Sequence, residues 1–251
     1  MTYCIALKLD AGLVCLSDTR TNAGVDNISR YKKTFTWQGE DRAIVLMSAG
    51  NLSITQSVID HLNRAVALGA GGTDGQTETI MNVPSLARLA ELVGQEMRQL
   101  IDIHGAAIEN AGASSGASII IGGQIGGEPM RLFLVYSAGN FIECGEDTPY
   151  FQIGETKYGK PIIDRTLSHG TSLAVGLRTA LVSMDLTVRS NLSVGLPLDL
   201  TVIENDALRI RTERRIDEHD ETYASISMGW DEALKTGLQG LPSLEHWLDE
   251  A

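Results

Sequence analysis

An α+β fold with antiparallel sheets is predicted, on three observations. Strand-like and helix-like runs come in blocks, in the order strands, helices, strands, helices, strands. Turn signals such as Asp10-Ala11-Gly12 and Glu204-Asn205-Asp206 join the strands, so hairpins dominate the connections. The 251 residues are 43% apolar, enough for one sizeable core, so 1–251 is expected to be a single domain. Hairpin-joined strands pair antiparallel, and helices set apart from them make the class α+β.

Residues 1–20 hold two short strand-like runs on either side of Asp10-Ala11-Gly12. A hairpin closing about residue 11 opposes residues whose numbers sum to roughly 20 to 22, so Thr2 faces the stretch from Asp18 to Arg20. Residues 28–35 form a further strand-like run carrying Lys32 and Lys33, expected to lie beside that hairpin. Residues 42–49 are an apolar strand ending at Gly50-Asn51, after which Asn51 or Ser53 can cap a helix whose stripe is Ile54, Val58, Leu62 and Val66. Residues 69–83 are a glycine-rich polar loop without GxGxxG or GK[ST], which reads as an exposed connection or rim rather than a phosphate cradle.

A second long helix is expected over 84–111, with Leu86, Leu89, Val93, Met97, Leu100 and Ile101 on its buried face. Strand-like runs follow at 118–122, 130–136 and 140–144, expected to join the N-terminal strands in a second sheet facing the first. Helical runs reach residue 167 and span 172–186, and a last hairpin takes 198–203 and 208–212. A charged stretch at 213–221 and a helical pattern at 230–247 with two tryptophans complete the chain. The extension 213–251 is expected in subunit contacts.

Composition excludes several functions. A net charge of −12 opposes nucleic acid, anionic membrane or an acidic substrate as general partners. Cys4, Cys15 and Cys144 are an odd number without CxxC spacing, as in a reducing cytosol, and a Cys4–Cys15 disulfide is not favoured. The N-terminus lacks a signal-peptide pattern and no run approaches ~18 apolar residues, so a cytoplasmic protein is expected. The five histidines show no HExxH or Cys/His pairing, so neither metal nor cofactor is expected.

The chemistry sits at the start of the chain. Initiator methionine is generally removed before a small residue, which would leave Thr2 at the N-terminus. Its α-amine, with a reference pKa of about 7.7–8.0, can then take the proton of its own hydroxyl, so the nucleophile carries its base. A buried lysine beside it favours the neutral amine by like-charge repulsion and stabilises the alkoxide, with Asp18 as counter-charge. The set is Thr2, Asp18 and Lys33. Gly50, a glycine before a helix N-terminus, offers its amide to an oxyanion.

Thr2, Gly12, Ser17-Asp18-Thr19-Arg20 with Gly24, Lys32-Lys33 and Ser48-Ala49-Gly50 together resemble the N-terminal half of proteasome β-type subunits. Those are N-terminal nucleophile hydrolases, a group that includes the bacterial HslV peptidase. Thr2-Tyr3-Cys4, residues 9–14, residues 18–26 and residues 190–200 (SNLSVGLPLDL) look most like the bacterial branch called Anbu, the ancestral β-subunit. The resemblance covers nearly the whole chain. It implies a four-layer αββα sandwich, a threonine-type peptidase or amide hydrolase, and a homo-oligomeric ring or open spiral, with any unfoldase a separate partner. It assigns the oxyanion role to Gly50, loop support to Arg20, and the substrate pocket to Tyr31, Ser48 and Leu52.

Two positions depart from the proteasome pattern. Glu155 stands where that pattern has a serine after glycine. In the supporting Arg-Asp-x-x-Ser stretch Arg189 and Ser193 match but Ser190 replaces the aspartate, which leaves Asp185 or Asn191 to take part, or a weak site. The alternative reading is a non-catalytic assembly protein with the same fold, as proteasome α-type subunits are. A third is an amidase for small peptides or modified amides.

Overall fold

The computed structural model describes residues 2–22, 28–71 and 78–248. Met1, Gly24 and residues 72–77 of the glycine-rich loop lie outside the described residues.

Two five-stranded antiparallel sheets face each other. The first has the order β10-β1-β2-β11-β12, built from Tyr150–Gly154, Tyr3–Leu9, Gly12–Asp18, Leu198–Glu204 and Ile210–Ile216. The second has the order β5-β6-β7-β8-β9, built from Thr34–Gln38, Arg42–Gly50, Ala117–Ile125, Arg131–Val135 and Phe141–Glu143. Helices α1 (Leu52–Gly71) and α2 (Leu86–Asn110) cover the outer face of the second sheet. Helices α3 (Lys160–Thr166), α4 (Leu173–Ser190) and α5 (Glu221–Gln239) cover that of the first. The result is the αββα order of layers; a four-residue helix, α6 (Glu245–Leu248), follows α5.

Burial on both faces explains why the central strands do not alternate polar with apolar. Along β1, Tyr3, Ile5, Leu7 and Leu9 enter the helix-facing core, while Cys4 and Ala6 enter the core between the sheets. Along β6, Ile44 and Leu46 face α1 and α2, whereas Ala43, Val45, Met47 and Ala49 face the opposite sheet. Each fully buried aliphatic side chain contributes about 1.5–3 kcal/mol, so the three cores fix the register of every central strand. The three cysteines are buried and unpaired, and burial pushes the Cys15 thiol up to about 12. No helix among the described residues is long and apolar enough to cross a membrane.

Several sequence expectations are met closely. The first hairpin pairs Cys4 with Ser17 and Leu9 with Gly12, a register that carries Thr2 to Thr19. The Asn51 carboxamide oxygen caps α1, accepting from Ser53 N at 3.1 Å and Ile54 N at 3.3 Å.

Others are corrected. Residues 28–35 are not one strand beside the hairpin: a short ribbon of β3 (Arg20–Asn22) and β4 (Ile28–Arg30) comes first, and β5 then starts in the other sheet. The apolar and β-branched character of Thr34–Gln38 is satisfied there by pairing with β6. The strands near 118–144 extend that β5-β6 sheet instead of joining the N-terminal hairpin, because β7 pairs with β6 along all nine of its residues. Strand β10 has no counterpart among the expected elements, and α4 continues to Ser190. The charged residues from Glu213 begin inside edge strand β12, whose side chains there are largely exposed.

Candidate active site

The start of β1, the end of β2 and the crossing into β5 meet beside Thr2. Lys33 sits in the short segment by which the chain leaves β4 for β5 and so passes from one sheet to the other. Its carbonyl accepts from Ser48 N at 2.9 Å, which holds the segment against β6. Lys33 Nζ is thereby delivered inward, 2.7 Å from Asp18 Oδ1 and 2.6 Å from the Arg20 carbonyl oxygen. The two side chains are 4% and 0% exposed, so the pair is a buried one.

Asp18 is held by more than the lysine. Tyr3 N donates to Oδ1 at 3.0 Å, while Arg20 N at 3.1 Å and Gly195 N at 3.4 Å donate to Oδ2. Burial raises the carboxyl above its ordinary range, and the Lys33 ammonium and these amides oppose the rise. A buried carboxylate with four donors is a rigid fixture, and it locks the residue after Thr2 to the lysine.

Thr2, Lys33, Ser48, Ala49, Gly50 and Leu52 line one cavity of about 320 Å³, together with Thr21, Thr55 and Gly154. Two of its glycines cannot be other residues. Gly50 has φ +104, and a Cβ there would stand 2.3 Å from the Gly116 carbonyl oxygen. Gly154 has φ +83, and its Cβ would stand 2.0 Å from the Thr2 carbonyl oxygen. β10 thus passes Thr2 at a distance that only a bare backbone permits. Of the three residues that the resemblance assigns to a substrate pocket, Ser48 and Leu52 line this cavity, and Tyr31 lines a different cleft with Arg30, Lys32 and Asp199.

The supporting residues divide. Arg20 Nη1 donates to the Leu192 carbonyl at 3.0 Å, and its guanidinium covers Gly195, whose added Cβ would meet Cζ at 2.5 Å. Ser193 is half-buried in the same loop, its N–H donating to Asn191 Oδ1 at 2.9 Å. Ser190 ends α4 with its side chain exposed, and among the described residues it shares no hydrogen bond with Thr2, Asp18 or Lys33. Arg189 is directed to α5, pairing with Asp231 at 3.1 Å and Ser227 at 2.7 Å, and to Asp185 at 3.1 Å. Asn191 Nδ2 donates to Glu155 Oε2 at 3.0 Å, and Glu155 N donates to the Thr2 carbonyl oxygen at 2.6 Å. Asp185, the other position the sequence offers, is buried instead beside Tyr223 Oη, which donates to its Oδ1 at 3.5 Å, and pairs with Arg189. Thr55 carries no signal in the sequence, whereas Thr21 and Gly154 fall within the stretches that carry the resemblance.

No protein-family model and no curated protein matches the chain. Solved structures do. Anbu (ancestral beta-subunit) from Yersinia bercovieri is 44% identical over 96% of this chain and 98% of its own, with a TM-score of 0.88. A Gly-1 mutant of Anbu from Hyphomicrobium sp. strain MC1 is 42% identical over 97% and 99%, also at 0.88. The helical assembly of the Anbu complex from Pseudomonas aeruginosa is 41% identical over 96% and 97%, at 0.88. With 41–44% identity over 96–97% of this chain and 97–99% of each of those chains, the chain, a proteasome-β-like sandwich, belongs to the Anbu family of ancestral β-subunits.

Proposed function

We propose that the chain is a threonine-type peptidase or amide hydrolase that uses Thr2 as its nucleophile once Met1 is removed. The observation that carries this reading is the buried Asp18–Lys33 pair, closed at 2.7 Å on the wall of the cavity that Thr2 lines. A lysine costs free energy to bury, and this one lines the same cavity as the residue that would bear both a hydroxyl and an α-amine.

In this mechanism Thr2 Oγ attacks the substrate carbonyl and its proton passes to the Thr2 amine, a step for which general-base catalysis contributes about 10²–10⁴-fold. The Gly50 N–H steadies the oxyanion, a contribution of about 10²–10³ in kcat. The protonated amine then gives its proton to the leaving nitrogen as the C–N bond breaks, and water hydrolyses the acyl ester on Thr2. Lys33 stabilises the alkoxide, Asp18 positions Lys33, and Arg20 with Ser193 holds the loop behind them. Ser190, exposed at the end of α4, is given no part in the chemistry. Substrates are peptides or other amides.

The family resemblance extends to a homo-oligomer, a ring or open spiral, with the extension 213–251 in the contacts. Exposed Leu234, Leu238, Leu241, Trp247 and Leu248 on that extension support it. The same residues, with Glu155 in place of the serine, favour the second reading, an assembly protein without catalysis. The net charge of −12 opposes binding to nucleic acid or anionic membrane, the three free cysteines suit a reducing cytoplasm, and unfolding of protein substrates falls to a separate unfoldase.

Intact mass before and after a peptide epoxyketone decides between the two, since that reagent needs a free threonine amine and its hydroxyl. Loss of Met1 with one adduct, absent in Thr2→Ala, is expected. A processed chain that takes no adduct and shows the same turnover as Thr2→Ala would leave only the assembly reading.

A further inference from the structure

Glu155 presents a buried carboxylate without a cation. It is 8% exposed, and its partners are two neutral donors, Lys157 N to Oε1 at 3.0 Å and Asn191 Nδ2 to Oε2 at 3.0 Å. Among the described residues no Lys, Arg or His side chain pairs with it. Buried carboxylates are almost always paired, because an ion without its counter-charge loses hydration that neutral donors only partly replace.

The register shows which group can supply the counter-charge. β1 and β10 pair Tyr3 with Gly154, so the next opposed residues are Thr2 and Glu155. The ladder continues by that one step, since Glu155 N donates to the Thr2 carbonyl at 2.6 Å. Directly opposed residues have Cβ atoms about 4.5–5.5 Å apart, within reach of a glutamate side chain. Asn191 holds the carboxylate from the other side, through a loop tied to Arg20 at Leu192 and to Asp18 at Gly195.

We infer that Glu155 is the counter-ion of the mature N-terminus, its carboxylate receiving the Thr2 α-ammonium and so setting the pH at which that amine is free to act as base. The inference rests on the proposed reading of Thr2 as the N-terminal residue. Glu155 is a positioning residue, acting through the amine and not on the substrate. Two charges then work on that amine in opposite senses. Lys33, paired with Asp18, favours the neutral amine, and Glu155 favours the protonated one. Arg20 is engaged with the Leu192 carbonyl, and the side chain of Lys157 is exposed. A serine at position 155 carries no charge, so glutamate here moves the basic form of the amine to higher pH.

The test reads the amine without requiring turnover. Chains whose Thr2 terminus is verified by intact mass are labelled with trace acetic anhydride from pH 5 to 10, and acetylation of the N-terminal peptide gives the amine pKa. Glu155→Gln and Glu155→Ser should both lower it by about one unit, a tenfold change in the neutral fraction at pH 7. Glu155→Asp should retain part of the effect. Equal titration in the native chain and a folded neutral variant overturns the inference, as does a chain that keeps Met1. A processed Thr2 with the expected shift but no epoxyketone adduct leaves the counter-ion standing and removes the hydrolase.

Discussion

Lys33→Met removes the cation from the buried pair and keeps the volume of its stem. Asp18, 0% exposed at its side chain, then retains the amides of Tyr3, Arg20 and Gly195 but no charge partner. Breaking a buried pair by removing one member costs about 3–5 kcal/mol, and three surviving backbone donors place this case near 3. About 1 kcal/mol of that is the Arg20 carbonyl, which loses its 2.6 Å bond to Nζ. For a chain of this length 3 kcal/mol lowers Tm by about 6–12 °C. The rest of the cost depends on pH. The folded-state pKa of Asp18 lies above its unfolded value, so the contribution of this group is fully present below the unfolded pKa, about 3.9, and is lost as pH rises through the folded one. Removing Lys33 raises the folded value further, so the variant should be penalised most near pH 7.5 and least near pH 5. Urea unfolding at both pH values, at one protein concentration, measures this. An equal loss at the two pH values, or a loss under about 1 kcal/mol at pH 7.5, would refute the argument that the site is organised by a charge pair.

Three further outcomes follow from single positions. Gly154→Ala should displace Thr2, since the added Cβ would lie 2.0 Å from its carbonyl oxygen, and should abolish epoxyketone modification; full modification would mean β10 can retreat at no cost. Gly50→Ala combines a φ of +104 with a 2.3 Å approach to Gly116 O, so a Tm fall corresponding to about 1–3 kcal/mol is expected along with a loss of turnover. If Tm falls and turnover does not, Gly50 is structural only. Leu238→Glu, at a position 71% exposed, should shift light-scattering mass toward smaller species while circular dichroism stays unchanged, and an unaltered assembly would remove α5 from the subunit contacts.

Much of this arrangement is local in the sequence, and that part was legible. Asp10-Ala11-Gly12 sets the hairpin, the hairpin sets the register, and the register alone brings Asp18 to the residue beside Thr2. The position of Lys33 was legible only as a requirement. Residues 28–35 read as one strand because their composition is β-prone throughout, and nothing local marks Tyr31–Lys33 as the place where the chain changes sheets. That change is decided by the hairpin pairing of β5 with β6 together with the long-range pairing of β6 with β7. β10 was missed for the same kind of reason: Tyr150–Gly154 is short, and its burial depends on β1, almost 150 residues earlier in the chain.

The crossing at Lys33 also explains why the site can be both buried and open. A lysine in the middle of a central strand would put its ammonium into one of the three apolar cores, where nothing balances it. A basic side chain on an edge strand reaches solvent, as Arg214 and Arg215 of β12 do. Between the sheets, the backbone is held by Ser48 on one side while the side chain turns to Asp18 on the other. The second sheet therefore presents the lysine, and the first presents the threonine and the aspartate. Formation of the pair requires both sheets to have docked, which makes the competence of Thr2 a property of the whole sandwich rather than of the N-terminal hairpin that carries it.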